Sequence, residues 1–395
     1  MPIDLERVRA DTPGCADIIH LNNAGAALPP RPVTRAVIDH LEREAAIGGY
    51  EAAAEAADAV ERTYESIARM LSCAPEEIAV VDSATRAWDM AFYAFDFRRG
   101  DRILTGVAEY ASNYLAFLQV ARKTGAVIET IPDDAFGQLD LGALEEALSS
   151  DRGPVRLIAV THVPTNGGLV NPAAGIGRLA REHDVPFLLD ACQSAGQMPL
   201  DVQTLGCTML SATGRKFLRG PRGTGFLYID RAWARRLEPP LIDMRAATWT
   251  ALDRFELRDD ARRFESWEKN VAAHIGLGVA ADYAQEVGLD AIRGRVGYLA
   301  TRTRTRLEAS PRLLVLDKGL AKCGIVTFVH IGEEPAETRR RLSAAGINVS
   351  VSPRASTRLD MEERDLDDVV RASVHYYNTE SEIERLAEVA EDRGA

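Results

Sequence analysis

The sequence predicts an α/β fold in which a large domain holds a mostly parallel sheet between layers of helices and a smaller α+β domain follows. Between about residues 70 and 235, short apolar runs rich in β-branched residues alternate with helical stretches, as in sheets buried on both faces. After Asp230 this pattern gives way to an Arg-rich region and then to further strand-like runs. Ligands of such folds bind at the carboxyl ends of the parallel strands.

Seven strand-like runs make up the sheet of the large domain. A helical segment rich in Ala and Glu, interrupted at Gly48-Gly49, precedes them from Pro32 to about Leu71. The strands are expected at 77–81, 102–107, 126–131, 156–163, 186–190, 208–212 and 225–229, with helices at 112–125, 141–150 and 173–184.

The C-terminal part is expected to begin with helices and to end as a mixed lobe. Residues from about 231 to 310 are expected to be helical, and 241–260 within them to line or cover the entrance of a site. Strands are expected at 313–317, 324–331, 347–351 and 371–377, and helices at 335–345 and 380–391.

Charge and composition exclude several classes of function. The 395 residues include 47 basic and 59 acidic ones, a net charge of −12, which is unlike a protein that binds nucleic-acid phosphates. No apolar stretch of roughly 18 residues would span a membrane and the N-terminus does not resemble a signal peptide, so a cytoplasmic protein is expected. The five cysteines are scattered without a CxxC pair, which argues against disulfides and structural zinc.

Common cofactor motifs are missing or misplaced. The string GIGRLA (175–180) fits a dinucleotide-binding pattern but precedes a strand instead of following one, so it is interpreted as helix interior. No P-loop and no HExxH sequence occurs, and no metal site is predicted.

The lysines point to a different chemistry. Only five basic residues are Lys, and Arg does not serve as a deprotonated amine. Lys216 follows a predicted strand and stands near Thr213, Arg215 and several glycines, a composition suited to cradling a phosphate. Asp190 ends another buried strand, with Gln193 beside it. A lysine, a carboxylate and a phosphate cradle are together what pyridoxal phosphate requires.

Two strings carry a family resemblance. LLDACQSAG (188–196) and SATGRKFLRGPRGTGFLY (211–228) resemble the class V aminotransferase family, which includes cysteine desulfurases and related lyases. The resemblance extends from 20–30 to 371–386. It implies the fold of pyridoxal-phosphate-dependent transferases (fold type I), an amino-acid substrate, and a homodimer with shared active sites.

The resemblance also implies a division of the chain into three parts. Residues 1–30 would join the small domain to the active site, residues 31–260 would form the large cofactor-binding domain, and residues 261–395 would form the small domain.

Individual roles follow from the resemblance by position. Lys216 would bind the cofactor covalently and later move the Cα proton, Asp190 would pair with the ring N–H, and Gln193 would bond the ring oxygen O3′. The other expected contacts are Ala84, Thr85, Thr213 and Arg215 at the phosphate, Tyr110 stacked on the ring and active in catalysis, Thr165 or Asn166 near O3′, and Asn23 and Arg371 at the substrate, with Arg371 gripping its carboxylate.

Some positions depart from the family pattern. Arg215 and Tyr110 stand where relatives often have His, and Tyr is a poor base near neutral pH. In segment 262–270, which resembles the stretch that reaches the partner's phosphate, Trp267-Glu268 replaces a small Gly-Thr pair. The dimer contact is therefore expected to differ in detail.

The sequence disfavours a desulfurase that uses a cysteine persulfide. Such enzymes carry a mobile Cys in the C-terminal lobe, and the matching stretch 344–373 contains none. Cys192 and Cys323 are interpreted as structural.

Finer resemblance suggests one reaction. Segment 44–56, the string THVPTNGGLV (161–170) and the gap in KFLRGP (216–221) resemble a branch holding ergothioneine-pathway C–S lyases, cystine lyases and isopenicillin-epimerase-like proteins. The leading prediction is β-elimination from an S-substituted cysteine or its sulfoxide, giving pyruvate and ammonia. Transamination of a small amino acid and epimerisation use the same core residues and stay open. A non-catalytic binding module is disfavoured because Lys216 lies in an intact motif.

Overall fold

The computed structural model describes residues 3–392 of the chain. Strands lie in two groups, one ending at Ile229 and one beginning at Leu313, with a hairpin between them. In chain order they are β1 (Ile19–His20), β2 (Ile78–Val81), β3 (Arg102–Gly106), β4 (Val127–Ile131), β5 (Val155–Thr161), β6 (Phe187–Asp190), β7 (Met209–Thr213), β8 (Gly225–Ile229), β9 (Ala247–Ala251), β10 (Arg254–Leu257), β11 (Leu313–Val315), β12 (Ile325–His330), β13 (Ile347–Asn348), β14 (Ser350–Ser352) and β15 (Val369–Ser373).

Helices precede, separate and follow these strands. The predicted interruption at Gly48-Gly49 is confirmed, because the segment before β2 is divided into three helices, α2, α3 and α4. In chain order the helices are α1 (Leu5–Ala10), α2 (Arg31–Ile47), α3 (Gly49–Glu55), α4 (Ala57–Leu71), α5 (Ala84–Phe92), α6 (Ala111–Thr124), α7 (Leu141–Ser149), α8 (Ala173–Glu182), α9 (Val202–Leu205), α10 (Arg231–Arg236), α11 (Val271–Val287), α12 (Leu289–Glu308), α13 (Pro335–Ala344), α14 (Arg358–Glu363) and α15 (Glu380–Glu391).

The large sheet has the strand order β2-β8-β7-β6-β5-β3-β4. β8 is antiparallel to both of its neighbours, and the other neighbouring strands are parallel. The seven predicted strands are thereby confirmed within two residues at each end, as is the mostly parallel sheet. The GIGRLA string lies inside α8, as predicted, and not in a dinucleotide-binding turn.

Helices cover both faces of this sheet, and β5 shows how the sequence achieves it. Leu157 and Ala159 belong to an apolar core shared with residues of α5 and α6. Ile158 and Val160 belong to a second core, shared with residues of α4, α8 and α11. Because successive side chains of a strand point to opposite faces, a continuous apolar run serves both cores.

The smaller lobe contains an antiparallel sheet of order β11-β12-β15-β14, against which α12 and α13 pack. The predicted strand at 347–351 is divided into β13 and β14, and the one predicted at 371–377 begins at Val369 and ends at Ser373. β13 pairs in parallel with β1, which the sequence did not indicate. This pairing fixes the N-terminal segment to the small lobe.

One prediction for the C-terminal part is wrong. Residues 231–310 are not helical throughout, because β9 and β10 form an antiparallel hairpin within them. The strings ATWTA and RFEL combine β-branched or aromatic residues with alternation, which favours strands over a helix. The hairpin is exposed: Trp249 is 75 % and Leu252 95 % accessible.

Arg219 connects the loop after β7 to both ends of the chain. Its guanidinium is buried and donates to Leu28 O at 2.8 Å and to Thr12 Oγ1 and Tyr376 Oη, each at 2.5 Å. It also lies 4.6 Å from the ring centre of Tyr377, a cation–π distance. The backbone of Arg219 has a φ of 63°, a left-handed conformation that only strong local contacts maintain in a residue other than glycine.

Among the helices of residues 3–392, none combines the length and the apolar character needed to cross a bilayer.

Candidate active site

Two neighbouring parallel strands, β5 and β6, end side by side on the side of the large sheet where the parallel strands have their carboxyl ends. Thr161 at the end of β5 is paired in register with Asp190 at the end of β6. The Asp190 carboxylate is buried and accepts hydrogen bonds from Cys192 N and Asn113 Nδ2, each at 2.9 Å. Both donors are neutral, so the carboxylate is held in place without a cation bonded to it.

Lys216 lies in the loop that follows β7. Burial lowers the pKa of its amine, and the nearby Asp190 acts in the opposite direction. A lowered pKa makes the free amine, the form that attacks a carbonyl carbon, more accessible near neutral pH. The neighbouring Arg215 donates to the carbonyl oxygen of Gly25, which joins the lysine loop to the N-terminal segment.

The amino terminus of α5 provides free backbone donors. Ser83 Oγ accepts from Arg86 N at 3.1 Å, and the first backbone bond of the helix runs from Ala87 N to Ser83 O at 3.0 Å. The N–H groups of Ala84 and Thr85 therefore have no acceptor within the helix. Such amides, at the positive end of the helix dipole, favour an anion.

Gly225, the first residue of β8, allows this helix end to lie close to β8. A Cβ at Gly225 would lie 2.5 Å from the carbonyl carbon of Ser83 and 2.6 Å from Ala84 N, so a larger residue would separate the two elements. Gly225 is paired in register with Thr213 at the end of β7. The predicted phosphate contacts Ala84 and Thr213 are thus brought together from sequence positions far apart.

Gln193 and Tyr110 contribute polar side chains near Asp190 and Arg371. Gln193 Nε2 donates to Ala24 O at 3.2 Å, while its buried Oε1 has no protein partner among the described residues. Tyr110 is the N-cap residue of α6, and its phenol is close enough to Arg371 to raise the pKa of that guanidinium against the effect of burial.

Arg371 reaches the site from the small lobe. It is buried on β15, and its Nη1 donates to the hydroxyl and, at 3.4 Å, to the carbonyl oxygen of Thr165. Its Nε has no partner among the described residues. Burial lowers the pKa of Arg371 to about 10, so it stays cationic at neutral pH. A buried guanidinium that contacts only neutral groups is ready for a carboxylate.

The contacts of Thr165 and Asn166 differ. The Thr165 hydroxyl faces Arg371, whereas Asn166 is bonded at both ends of its amide to the small lobe, donating to Thr357 Oγ1 at 3.0 Å and accepting from Ser352 Oγ. These contacts favour Thr165 as the residue available to a ligand.

Asn23 does not present a free polar group to the site. Its side chain is fully buried, donates to Ser373 O at 2.7 Å and to His20 O at 3.3 Å, and accepts from Tyr377 Oη. These bonds hold the N-terminal segment on β15. The substrate contact predicted for Asn23 stays a prediction that its partners do not favour.

Sequence reasoning missed two residues of the site, Glu109 and Asn113. Glu109 is buried next to Tyr110, and Asn113 connects it to Asp190. The sequence held a signal for them. Glu109 and Asn113 are four residues apart, follow a buried strand, and lie just before and within the first turn of the next helix.

Cys192 and Cys323, the cysteines that the structure places beside residues of the site, are thiols whose pKa values are raised by burial. Residues of the small lobe around Arg371 form one side of the site, which we call the small-lobe wall. Segment 344–373 supplies Ser352 and Thr357 to this wall, but no thiol. Cys192, next to Asp190, has its pKa raised well above the usual value, first by burial, so the thiol stays protonated. A protonated thiol is a weak nucleophile.

The residues fit pyridoxal phosphate as a ligand. The free amides of Ala84 and Thr85 suit its phosphate, the Asp190 carboxylate suits a ring N–H, and the Lys216 amine suits its aldehyde. The buried, unpartnered Oε1 of Gln193 is an orphan polar atom that a ligand in this pocket would satisfy. By contrast, no group of three or more His, Cys, Asp or Glu side chains within residues 3–392 is arranged to hold a metal ion.

Known proteins resemble this chain over most of its length. The profile of the family described as Aminotransferase class-V matches residues 19–386. A probable cysteine desulfurase of Methanothermobacter thermautotrophicus is 29 % identical over 98 % of this chain and 97 % of its own length.

Solved structures extend the similarity to the fold. The apo structure of a cysteine desulfurase from Thermococcus onnurineus has a TM-score of 0.91 and 28 % identity, covering 99 % of this chain and 98 % of its own. A cystine C–S lyase in complex with its product cysteine persulfide has a TM-score of 0.84 and covers 96 % of this chain and 99 % of its own. At 23 % identity, the lyase shows the shared fold alone.

Proposed function

The chain belongs to the class V aminotransferase family of pyridoxal-phosphate-dependent enzymes, and from this premise we propose that it catalyses β-elimination from an S-substituted cysteine or its sulfoxide. The Cβ–S bond breaks, the sulfur leaves as a thiol or sulfenic acid, and uptake of one water yields pyruvate and ammonia. The relatives described above at 28 and 29 % identity are named as cysteine desulfurases, so sulfur-bearing amino acids are the substrates to test first.

The observation that carries the proposal is the small-lobe wall without a thiol. A persulfide route needs a nucleophilic cysteine at the substrate sulfur, and segment 344–373 places Ser352 and Thr357 in that wall. The nearest alternative, Cys192, is kept protonated by burial. Elimination needs no enzyme thiol, because the sulfur of the substrate departs with the electron pair of the broken Cβ–S bond.

The family pattern gives each residue of the proposed site a role. Bound pyridoxal phosphate withdraws electrons from the Cα of an attached amino acid and so acidifies its proton. Lys216 is the base for that proton, Asp190 keeps the ring nitrogen protonated, and Gln193 bonds the ring oxygen. Tyr110 stacks on the ring. Arg371 fixes the substrate carboxylate and thereby the orientation of the Cα–H bond.

The phosphate is held by the α5 amides of Ala84 and Thr85 together with Thr213 and Arg215. Thr165 lies at the Arg371 side, where its hydroxyl can bond the ring oxygen or the substrate carboxylate. These assignments follow the family pattern and are supported by the pairing of Gly225 with Thr213 described above.

A direct assay tests the reaction. The purified enzyme is incubated separately with S-methylcysteine, its sulfoxide and cystine, and pyruvate and ammonia are measured. We expect equal amounts of both products from at least one substrate and none with the Lys216→Ala variant. Amino transfer from alanine to a keto acid, or exchange of the Cα proton with inversion, without pyruvate from any of these substrates, would instead establish one of the two alternative reactions.

A homodimer with shared sites is also part of the proposal. Large apolar side chains are exposed on and beside the β9–β10 hairpin, and exposed apolar side chains that lie together are typical of an interaction surface. They are Leu241, Ile242, Met244, Trp249, Leu252, Phe255 and Trp267. A second copy of the chain would cover them, and Trp267-Glu268 replaces the small pair that the family uses near the partner's phosphate.

Sedimentation velocity tests the dimer. The wild type is expected to sediment as a dimer, and Met244→Glu to shift it toward monomer with lower affinity for the cofactor. Leu320→Glu, at an exposed apolar residue of the small lobe, serves as the matched control and should leave the dimer intact. A monomeric wild type with full cofactor affinity would refute the shared site.

A further inference from the structure

A second buried carboxylate, that of Glu109, lies in the turn between β3 and α6. It accepts from Thr105 Oγ1 at 3.2 Å and from Tyr110 N at 2.9 Å. Thr161 donates to it twice, from N at 2.9 Å and from Oγ1 at 2.5 Å, and Asn113 Nδ2 donates at 2.8 Å. Five bonds leave this carboxylate a single orientation. None of the roles assigned above explains why the chain buries it there.

Asn113 joins this carboxylate to the one at the cofactor edge. Its Nδ2 donates to Glu109 Oε1 at 2.8 Å and to Asp190 Oδ2 at 2.9 Å. Because an amide nitrogen carries two hydrogens, each carboxylate receives one of its own. Asn113 is buried on the first turn of α6, so the amide cannot turn away without losing both bonds.

The two linked carboxylates are bonded only to neutral donors. Amide, hydroxyl and backbone N–H groups supply every hydrogen bond given above for Asp190 and Glu109. Burial raises the pKa of Glu109 to about 7; the hydrogen bonds from Thr161 and Asn113 lower it, and the charge of Asp190 raises it. A positive charge brought to Asp190 would relieve this repulsion and favour ionised Glu109.

We propose that Glu109 acts through Asn113 as a positioning residue for Asp190. It fixes the Asp190 carboxylate toward the ring nitrogen of the cofactor, and its negative charge behind Asp190 keeps the proton on that nitrogen. The inference rests on the proposed function, because it takes the pairing of Asp190 with the ring nitrogen from it.

The charge and the bridge can be separated by substitution. Glu109→Gln keeps the size of the side chain but removes its charge, and it places the new amide NH2 group against the N–H of either Tyr110 or Thr161, which donate to different oxygens of Glu109. Asn113→Leu keeps Glu109 and removes the bridge. Both changes should leave Asp190 less well placed to hold a ring proton.

The test is nitrogen-15 NMR of holoenzyme reconstituted with pyridoxal phosphate labelled at the ring nitrogen, whose chemical shift reports the proton. For Glu109→Gln and Asn113→Leu, we expect the ring nitrogen to lose its proton about one pH unit lower than in the wild type. Because one pKa unit corresponds to a tenfold ratio, the dissociation constant for the protonated cofactor should rise roughly tenfold.

Two further variants make the readout specific. Glu382→Gln alters a buried glutamate bonded to Arg9 and Asn378, away from the sheet edge, and should change thermal stability without moving the nitrogen signal. Asp190→Asn should move the signal more than any other variant.

The outcomes distinguish the two proposals. An unchanged nitrogen signal in Asp190→Asn would refute the pairing of Asp190 with the ring. A shifted signal there, with wild-type signals and cofactor affinity in both Glu109→Gln and Asn113→Leu, would refute only the role of Glu109. Should Glu109→Gln fail to fold, Asn113→Leu decides the question alone, because it retains the buried carboxylate.

Discussion

The two walls of the site differ in charge. The large-domain wall carries two buried carboxylates bonded to neutral donors, that of Asp190 at the end of β6 and that of Glu109 in the turn after β3. The small-lobe wall carries the buried guanidinium of Arg371, bonded to the neutral Thr165 and with its Nε unpartnered. Burying a charge without a counter-ion is costly in both cases.

The difference shows what the site is shaped to accept. A ligand that brings a protonated ring nitrogen to one wall and a carboxylate to the other supplies both missing counter-ions. A cofactor joined to an α-amino acid has these two charges at its opposite ends. Each wall therefore binds one part of the ligand, and a substitution in one wall should weaken the binding of that part.

Removing the amine between the walls should have the largest effect. Lys216→Ala takes away both the cofactor link and the base for the Cα proton, so kcat/KM should fall by about 10⁴-fold or more. The visible absorption of the covalently bound cofactor should disappear with it. Retention of substantial turnover would show that another group is the base.

Removing the positive charge of the small-lobe wall comes next. Arg371→Ala should lower kcat/KM by roughly 10²- to 10³-fold, and Arg371→Lys by less, since lysine keeps the charge but not the two-pronged geometry. Steady-state kinetics with an amine that lacks the carboxylate is the control. The difference between wild type and variant should vanish there, and its persistence would contradict a carboxylate contact.

Removing a negative charge from the large-domain wall should act through pH. The pKa of folded Glu109, raised to about 7 chiefly by burial, lies above its unfolded value, so the folded state holds this proton longer. Stability must then fall as pH rises from about 4.5 to 7. Between pH 5 and 8, cofactor-free wild type should lose roughly 2.5 kcal/mol relative to Glu109→Gln in urea unfolding. Parallel pH profiles would contradict the raised pKa.

At the cysteines we expect no chemical change at all. During turnover of a cysteine conjugate, mass spectrometry of the enzyme should find no cysteine heavier by one sulfur atom. Reduction before analysis is the control, since it removes any persulfide. An adduct on Cys192 that forms and decays at the rate of turnover would restore a desulfurase mechanism.

The sequence predicted the strands of the large-domain wall far better than the elements around them. Buried apolar runs are read locally, so the strands that present Asp190 and Lys216 were placed within two residues of their bounds. β1 was missed because two residues become a strand only by pairing with β13. The β9–β10 hairpin was missed because it is exposed and lies within the Arg-rich region 231–310, which was predicted to be helical.

Polar contacts across the fold were the least predictable part. Within the Glu109–Asn113–Asp190 bridge, Asn113 and Asp190 are 77 positions apart in the sequence. The bonded residues Arg371 and Thr165 are 206 positions apart. No local pattern reports such partners. The family resemblance supplied Asp190 and Arg371, whereas the residues that hold them in place required coordinates.

The contacts of Arg219 bear on how such chains can be recombined. One guanidinium connects Thr12, Leu28 and Tyr376 to the lysine loop, so three stretches far apart in sequence form one heritable unit. A chimaera that takes its first thirty residues from a relative without a hydroxyl at position 12 keeps this arginine but loses the buried acceptor of one of its bonds. Crossovers between family members should therefore succeed only when the N-terminal segment, the lysine loop and Tyr376 come from the same parent.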